Sequence, residues 1–274
     1  MNKFVVMMAA VGASLVMAST VLAGVGRVAN TAHNLSSSSL SAFFKSSSEN
    51  QICIFCHTPH NANPSVPLWN KVMPTQSFNM YTSSPTLSPA AKAVTAPGPE
   101  SLLCLSCHDG RTAINVVHNT SNPTATTVGN EHIIALDFGS DPNTPVYGSS
   151  GGVSLGTFTW DSSYGANLGK TSTDVYSGTN LMDDHPISFS YDAAQTSKPQ
   201  QLNDRTTVVA AKSGNAIRFF GPEHRLECSS CHDPHVDYGY IKGVPTNTGG
   251  NTELRPFLVM SNTGSALCLA CHNK

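Results

Sequence analysis

Cys53-Ile54-Phe55-Cys56-His57 is the stretch that decides the fold, because its Cys-x-x-Cys-His pattern returns three more times and the four copies use all eight cysteines. The other copies are Cys104-Leu105-Ser106-Cys107-His108, Cys228-Ser229-Ser230-Cys231-His232 and Cys268-Leu269-Ala270-Cys271-His272. Each motif offers two thiols that can form thioethers with the vinyl groups of a haem, and an adjacent imidazole that can bind the iron. The sequence therefore predicts four covalently bound haem c groups.

Other uses of paired cysteines fit this spacing less well. Four-cysteine zinc sites bring two pairs together over about 15 to 20 residues, whereas the first cysteines of successive motifs lie 51, 124 and 40 residues apart. Neither zinc nor a disulfide framework explains a histidine after every second cysteine. A thioredoxin-like redox pair would need one motif near a βαβ pattern rather than four scattered copies.

The N-terminus has the three-part layout of a secretory signal peptide. A positive charge at Lys3 precedes an apolar run from Phe4 to Val16, and small-residue cleavage is expected after Ala23. We therefore predict export, with residues 1–23 removed, and no other segment approaches membrane-spanning length. Export agrees with haem attachment, which takes place outside the cytoplasm.

The composition indicates an unusual polar chain. Charged residues make up 12%, against about 25% in typical globular proteins. The formal charge of -2 becomes more negative once Lys3 is removed and haem propionates are added. An acidic protein is a poor partner for nucleic acid or for an anionic membrane surface.

The organisation predicts a multihaem cytochrome c fold. We expect mostly irregular coil, with short helices at the haem motifs, a few short strands and a core made by the four haems. The predicted parts are a flexible N-terminal arm at residues 24–50 and one tetrahaem domain at 51–274, within which residues 119–221 form an insert without a haem motif. Alternating residues favour strands at Gly156–Trp160 and Ile187–Tyr191, and Phe257–Met260 is expected to be extended. The second motif is predicted to open a helix running to Val117.

Each haem iron also needs a distal ligand. With His57, His108, His232 and His272 assigned as proximal ligands, seven histidines remain for four distal positions. They are His33, His60, His118, His132, His185, His224 and His235. Because histidines are in surplus, bis-histidine ligation is predicted, and Met73, Met80, Met182 and Met260 are expected to pack rather than bind iron.

The first two distal candidates are His60 and His235, which stand three residues after a proximal histidine in Cys-His-Thr-Pro-His and Cys-His-Asp-Pro-His. A histidine so placed starts on the proximal side of its own haem, and three residues cannot wrap around the disc. Each is therefore predicted to serve a different haem, which would tie neighbouring haems together.

His185 and His33 complete the predicted distal set. Asp183 and Asp184 precede His185, and a carboxylate can accept the second ring N–H of a metal-bound histidine. His33 lies on the N-terminal arm, which is long enough to reach another haem or a neighbouring subunit. His118 and His132 are reserves, and His224 is expected to face solvent.

Several strings surrounding the motifs carry a resemblance to a known family. They are His33-Asn34-Leu35-Ser36, residues 53–62, Pro67-Leu68-Trp69-Asn70, residues 104–110, residues 184–189 and residues 228–235. In these strings the chain resembles the exported multihaem cytochromes of metal-reducing bacteria, and in particular their tetrahaem filament cytochromes. Residues 119–176 contribute nothing to this resemblance.

The resemblance implies a polymer in which subunits stack head to tail and one haem takes its distal histidine from the adjacent subunit. An interface of that kind does not close, so it builds an open helical filament. His33 is the donor that we expect in trans. The partners implied are further copies of the chain, upstream outer-membrane or periplasmic cytochromes, and extracellular metal oxides or electrodes.

The leading hypothesis is therefore an electron-transfer protein without substrate turnover, located outside the cell or at its surface. A monomeric periplasmic electron shuttle is the second reading. A multihaem oxidoreductase with one open haem site is the third, and the surplus of histidines disfavours it.

Overall fold

The computed structural model describes residues 28–40, 45–63, 66, 68–137, 168, 179–239 and 249–273. The signal peptide predicted at residues 1–23 and the strand predicted at Gly156–Trp160 lie outside these residues. Within the described ranges, no helix combines the length and the hydrophobicity that crossing a bilayer requires.

The described helices are short. The α-helices are α1 (Pro89–Lys92), α2 (Pro99–His108), α3 (Tyr191–Ser197), α4 (Arg205–Thr207), α5 (Cys228–Cys231) and α6 (Ala266–Cys271). The 3-10 helices are Val28–Asn30, Ile52–Phe55, Thr252–Leu254 and Thr263–Ser265, and a π-helical turn covers Val208–Lys212.

The described strands form three small sheets. The strands are β1 (Asn79–Met80), β2 (Val116–Val117), β3 (Thr126–Val128), β4 (Glu131–Ile133), β5 (Asn180–Leu181), β6 (Phe189–Ser190) and β7 (Arg225–Leu226). Strands β1 and β5 pair in parallel, and β6 pairs antiparallel with β7. The third sheet has the antiparallel order β2-β4-β3.

Local sequence explains where the helices begin. Pro99 occupies the first turn of α2, where its missing N–H costs nothing, and Glu100 places a carboxylate at the positive end of the helix. Helix α3 begins after Ser190, whose hydroxyl accepts a hydrogen bond from the Ala193 N–H. Helix α5 begins after Glu227, which forms a reciprocal capping box with Ser230.

All four Cys-x-x-Cys segments are wholly or largely helical. The helix of the second motif begins further ahead of its first cysteine than the helices of the other three motifs do. The second motif ends helix α2 instead of opening a helix, so the prediction of a helix running on to Val117 was wrong. Pro99 and Glu100 supply the start signal nine and eight residues before His108, and Gly110 with φ of 71° follows the helix. Val116 and Val117 form strand β2 instead.

The two other predictions of extended structure fall within the described residues. The segment Ile187–Tyr191 contains strand β6, but Tyr191 already begins helix α3. The segment Phe257–Met260 is extended only in part, because Leu258 forms a single bridge with His232 and Phe257 has a φ of 58°.

The buried apolar side chains form three small clusters rather than one large core. The first surrounds Tyr191 and reaches Cys271, and the second surrounds Phe55 and reaches Cys107. The third contains Leu105, which lies inside the second haem motif. Each cluster therefore contacts a Cys-x-x-Cys-His segment.

The described part of the N-terminal arm folds against the rest of the chain. The Asn30 side chain donates to Asp237 Oδ2 at 3.1 Å, and the Ser46 N–H donates to the Leu35 carbonyl at 2.8 Å. Ser36 and Asn34 are completely buried. These contacts hold residues 28–40 beside the segment that follows the third motif.

Asn70 is the polar residue that ties the first motif to the strand region after the second. Its side chain is fully buried and donates to the carbonyls of Ile54 and Asn119, at 2.6 and 2.8 Å, while its Oδ1 accepts from the Asn119 N–H at 2.9 Å. The Asn70 backbone adds a bond to the Cys56 carbonyl at 2.9 Å.

We predict that Asn70→Ala destabilises the protein by about 2 to 4 kcal/mol, because three buried backbone groups lose their partner. Urea unfolding followed by circular dichroism would measure the change. The same substitution at the exposed Asn273 is the control, with an expected effect below about 0.5 kcal/mol. Equal effects at both positions would contradict the role assigned to Asn70.

Candidate haem-binding site

The eight cysteines are all free thiols in the described structure, and none forms a disulfide. Cys53 and Cys268 are exposed, while the other six are partly buried. Each pair is separated by one turn of helix, so both sulfur atoms lie on the same side of their segment. This arrangement suits attachment of one planar group at two points.

Thiols of successive motifs lie near enough to affect one another's pKa. Burial raises the pKa of Cys56 to about 12, and the neighbouring Cys107 thiol adds to the rise. A hydrogen bond between the Cys104 and Cys228 side chains raises the pKa of Cys104. Motif one therefore adjoins motif two, and motif two adjoins motif three.

The last junction joins motifs three and four. Burial raises the pKa of Cys231 to about 12, with the Cys271 thiol as the next contribution. Burial likewise raises the pKa of Cys271, to about 11. Each motif therefore lies near the motif that follows it in the chain.

Glu227 fixes the junction between motifs two and three. Its carboxylate is buried and accepts hydrogen bonds from the Ser101 and Ser188 hydroxyls, the latter at 2.7 Å. Ser101 belongs to helix α2, and its Oγ also accepts from the Cys228 N–H at 3.1 Å. A side chain at Gly98 would collide with the Glu227 carboxylate.

Backbone pairing orients three of the four proximal histidines. His57, His232 and His272 each follow a motif helix directly and form a single β-bridge, with Trp69, Leu258 and Leu202 respectively. The bridge ends the helix and fixes the backbone from which the imidazole projects.

Three pairs of histidine rings face each other within the chain. His57 and His235 have ring centroids 6.3 Å apart and an interplanar angle of 12°. His185 and His272 are also 6.3 Å apart, at 71°, and His33 and His108 are 6.0 Å apart, at 89°. Each pair joins one proximal histidine to one predicted distal histidine.

These separations fit one iron between two imidazoles. A metal bound to an imidazole nitrogen lies about 2.0 to 2.1 Å from it, and the ring centre lies about 1.1 Å further away, so two rings on opposite sides of one metal have centres about 6.3 Å apart. Direct packing of aromatic rings covers a range of about 4.5 to 7 Å that includes these separations, so what points to ligation is the pairing of each ring with a motif histidine and not the distance alone. The pairs therefore fit the axial ligand set of a bis-histidine haem.

The hydrogen bonds of the distal histidines leave one ring nitrogen available. A backbone carbonyl can only accept, so Nδ1 of His33 donates to Pro234 O at 3.4 Å and Nδ1 of His185 donates to Pro186 O at 2.8 Å. His235 Nδ1 contacts Asp233 Oδ1 at 2.7 Å. In each ring Nε2 is left to bind a metal, and the partner on Nδ1 fixes the tautomer.

The environment of His33 keeps its ring neutral. Burial is the main cause that lowers its pKa to about 4, and the nearby His108 contributes next. Burial followed by the adjacent His235 also lowers the pKa of His57. A neutral imidazole has the free lone pair that ligation requires.

The partner predicted for His185 was wrong. Neither Asp183 nor Asp184 accepts its Nδ1–H, because the Pro186 carbonyl takes that bond at 2.8 Å. Asp184 is half-buried instead, and burial raises its pKa to about 6, with the like charge of Asp183 as the second cause.

His60 and His232 are the two remaining members of the predicted ligand set. His60 is exposed, and the structure does not bring its ring opposite any described histidine. His232 donates from Nδ1 to the Pro256 carbonyl at 2.9 Å, and among the described residues no histidine ring faces it. Motif three is therefore the motif whose proximal histidine has no distal partner in the described chain.

The reserve histidines lie elsewhere. His118 Nδ1 pairs with Glu131 Oε1 at 2.8 Å, and its Nε2 is buried without a hydrogen-bond partner. His132 contacts Thr127 Oγ1 at 3.3 Å. His224 is partly exposed, and its Nδ1 lies 2.8 Å from Asp192 Oδ2, a contact that the sequence did not predict.

The methionines have different environments. Met80 is buried in the cluster around Leu105, and Met260 packs against the cluster around Tyr191. Met182 is 46% exposed, and Met73 lines an open groove with a volume of about 280 Å³. Packing is the role observed for the first two.

Sequence reasoning missed the residues that position the ligands. The carbonyls of Pro234, Pro186 and Pro256 hold three histidine rings, and any residue type could supply such a carbonyl. Asp233 carried a signal, since it stands between His232 and His235 in Cys-His-Asp-Pro-His. Trp69, whose indole is 5.5 Å from the His57 ring and whose Nε1 is buried without a partner, was also missed.

No model of a known protein family matches the chain. No curated protein matches it significantly.

We predict that His185→Ala removes the distal ligand from one haem while leaving its covalent attachment intact. The holoprotein should then show one high-spin haem by electron paramagnetic resonance, and intact mass should still report four haems. His132→Ala, which changes a histidine with no proximal partner in the described chain, should leave the spectrum unchanged. An unchanged spectrum for His185→Ala would contradict the assignment.

Proposed function

We propose that this chain is an exported tetrahaem c-type cytochrome that conducts electrons along closely spaced bis-histidine haems and assembles into an extracellular filament. The observation that carries the proposal is the set of three histidine pairs with ring centroids 6.0 to 6.3 Å apart. Each pair joins the histidine of a Cys-x-x-Cys-His motif to a histidine distant in sequence. Packing of the apolar clusters alone would not require each of these motif histidines to lie opposite a histidine that is distant in sequence.

Haem iron supplies one-electron chemistry, and the chain's own residues determine where that chemistry is held. The cysteines would fix each group at two points, and the three histidine pairs would supply both nitrogen ligands to three of the irons. The carbonyls of Pro234 and Pro186 and the carboxylate of Asp233 would hold the tautomers of the distal rings. At those three sites the protein side chains would leave no place for a substrate on the iron. This supports electron transfer rather than turnover.

The order of the motifs supports a conducting path. Motifs one and two meet at Cys56 and Cys107, motifs two and three at Cys104 and Cys228, and motifs three and four at Cys231 and Cys271. Cysteines attach the vinyl edges of haems, so neighbouring thiols would hold haems of successive motifs near one another. Short edge separations favour rapid electron exchange between neighbours.

His235 adds a second link between motifs. It lies three residues after the proximal histidine of motif three but faces His57 of motif one. A haem bound at motif one would therefore be held by residues from two motifs, and the same covalent segment would limit how far motifs one and three can separate.

The filament proposal rests on motif three. His232 lacks a facing histidine in the described chain, and the exposed His60 lacks one too, so His60 of one subunit can complete the site of its neighbour. His33 faces His108 of its own chain, which favours His60 over His33 as the donor in trans. A contact from motif one to motif three of the next subunit is heterologous and does not close, as an open filament requires.

The proposed partners follow from charge and from the resemblance to filament cytochromes. Copies of the chain form the conductor, upstream outer-membrane or periplasmic cytochromes supply electrons, and extracellular metal oxides or electrodes receive them. The acidic character of the chain disfavours nucleic acid.

The lack of a histidine facing His232 among the described residues also favours a second candidate, a multihaem oxidoreductase with one open haem. The discriminating observation is the spin state of wild-type holoprotein. A high-spin haem that binds nitrite or hydroxylamine in dispersed monomers would favour the enzyme. Only low-spin haems in assembled protein would favour the filament, and only low-spin haems in monomers would favour a periplasmic shuttle.

We predict that His60→Ala stops filament growth, because it removes the ligand that joins one subunit to the next. Electron microscopy of material sheared from cells should reveal filaments for the wild type and dispersed subunits for the variant. Intact mass should report four haems per chain in both proteins. Isolated subunits of the variant should contain one high-spin haem.

His33→Ala is the matched control, because the same change falls on a histidine paired within its own chain. It should preserve filaments while producing one high-spin haem. Normal filaments from His60→Ala would overturn the role of His60. Loss of filaments in His33→Ala alone would return the intersubunit role to His33.

A further inference from the structure

Lys71 is a fully buried cation between motifs one and two. Its side chain is 0% exposed, and Nζ donates to the carbonyls of Ala113 and Val116 at 2.8 Å each. Both distances are in the range of charge-assisted hydrogen bonds. The lysine therefore has a defined position rather than a mobile one.

The two partners of Lys71 are neutral. Among the residues that the structure describes, no carboxylate lies within 4.0 Å of its Nζ. Lysine is almost never fully buried without a paired charge, because removing an ammonium group from water carries a large free-energy cost. A neutral residue such as methionine would fill the same space without that cost, so packing alone does not account for the lysine.

The charge of Lys71 acts on the haem attachment site. Lys71 directly follows Asn70, whose backbone N–H donates to the Cys56 carbonyl of motif one at 2.9 Å. Its carbonyl partners, Ala113 and Val116, belong to the segment that follows the second motif. Lys71 thus lies where motifs one and two meet.

We propose that Lys71 is a fixed positive charge that raises the reduction potential of the haems attached at motifs one and two. The inference rests on the proposed haem content of the chain. Reduction adds one electron to a haem, and a nearby cation stabilises the added negative charge. Burial limits screening by water and salt, so the interaction is stronger than that of a surface lysine.

With this role, Lys71 would make the reduction potentials of the haems within one subunit unequal. Haems at motifs one and two would accept electrons at higher potential than they would beside a neutral residue, because the hydrogen bonds of Lys71 place its charge at those two motifs. Lys71 itself exchanges no electron and no proton. It biases where electrons reside within each subunit.

The test compares Lys71→Met and Lys71→Arg in intact holoprotein. A spectroelectrochemical titration of haem absorbance should move part of the curve to lower potential in Lys71→Met, and the remainder should stay in place. Lys71→Arg keeps the charge and should retain the wild-type curve. Lys92→Met removes an exposed lysine and should leave the curve unchanged.

A second neutral variant separates charge from folding. Lys71→Gln retains an amide that can donate to the two carbonyls, so it preserves the local structure if Lys71→Met does not fold. The same downward shift is expected. An unchanged curve in folded Lys71→Gln or Lys71→Met would overturn the role of Lys71.

Measurement of intact mass distinguishes a failure of the role proposed for Lys71 from a failure of the proposed function. Wild-type protein with four haems and an unshifted curve in the neutral variants contradicts the inference alone. Wild-type protein exported without covalent haem contradicts the proposed function itself, and with it the basis of the inference.

Discussion

The geometry that matters most is the gap between facing histidine rings. In three pairs the ring centroids stand 6.0 to 6.3 Å apart, a separation that lies within the range of ordinary aromatic packing and that also matches the span of two metal–imidazole bonds. The pairs join the N-terminal arm to motif two, the segment after motif three to motif one, and the turn before β6 to motif four. Much of the long-range organisation of an otherwise irregular chain follows from these three contacts.

The buried apolar side chains of the described residues form small, local cores. The apolar clusters around Phe55, Leu105 and Tyr191 each contact a Cys-x-x-Cys-His segment, and Val94 packs against both of the last two. Such clusters bury little apolar surface for a chain of this length. Large apolar cofactors bound between them would supply the missing contacts, and ligand bonds formed only in the folded state would add to stability.

The sequence predicted the motifs and their helices because cysteine spacing is local information. The placement of His235 opposite a motif other than its own also followed from local geometry, since three residues cannot cross a haem, although ligation itself stays a prediction. The role of Pro186 and the burial of Lys71 could not be predicted, because a carbonyl has no sequence signature and burial depends on the whole fold. Pro99 and Glu100 are signals from which the start of helix α2 was predictable, but the prediction rested on the motif alone and not on the turn that precedes it.

The most direct test of the account is a density map of exported holoprotein at a resolution that separates side chains. The account predicts four haems in motif order, with His57 and His235, His108 and His33, and His272 and His185 on three irons. It also predicts His232 on the fourth iron, opposite His60 of an adjacent subunit. Density with no haem at the cysteines, or with the three histidine pairs broken apart, would contradict it.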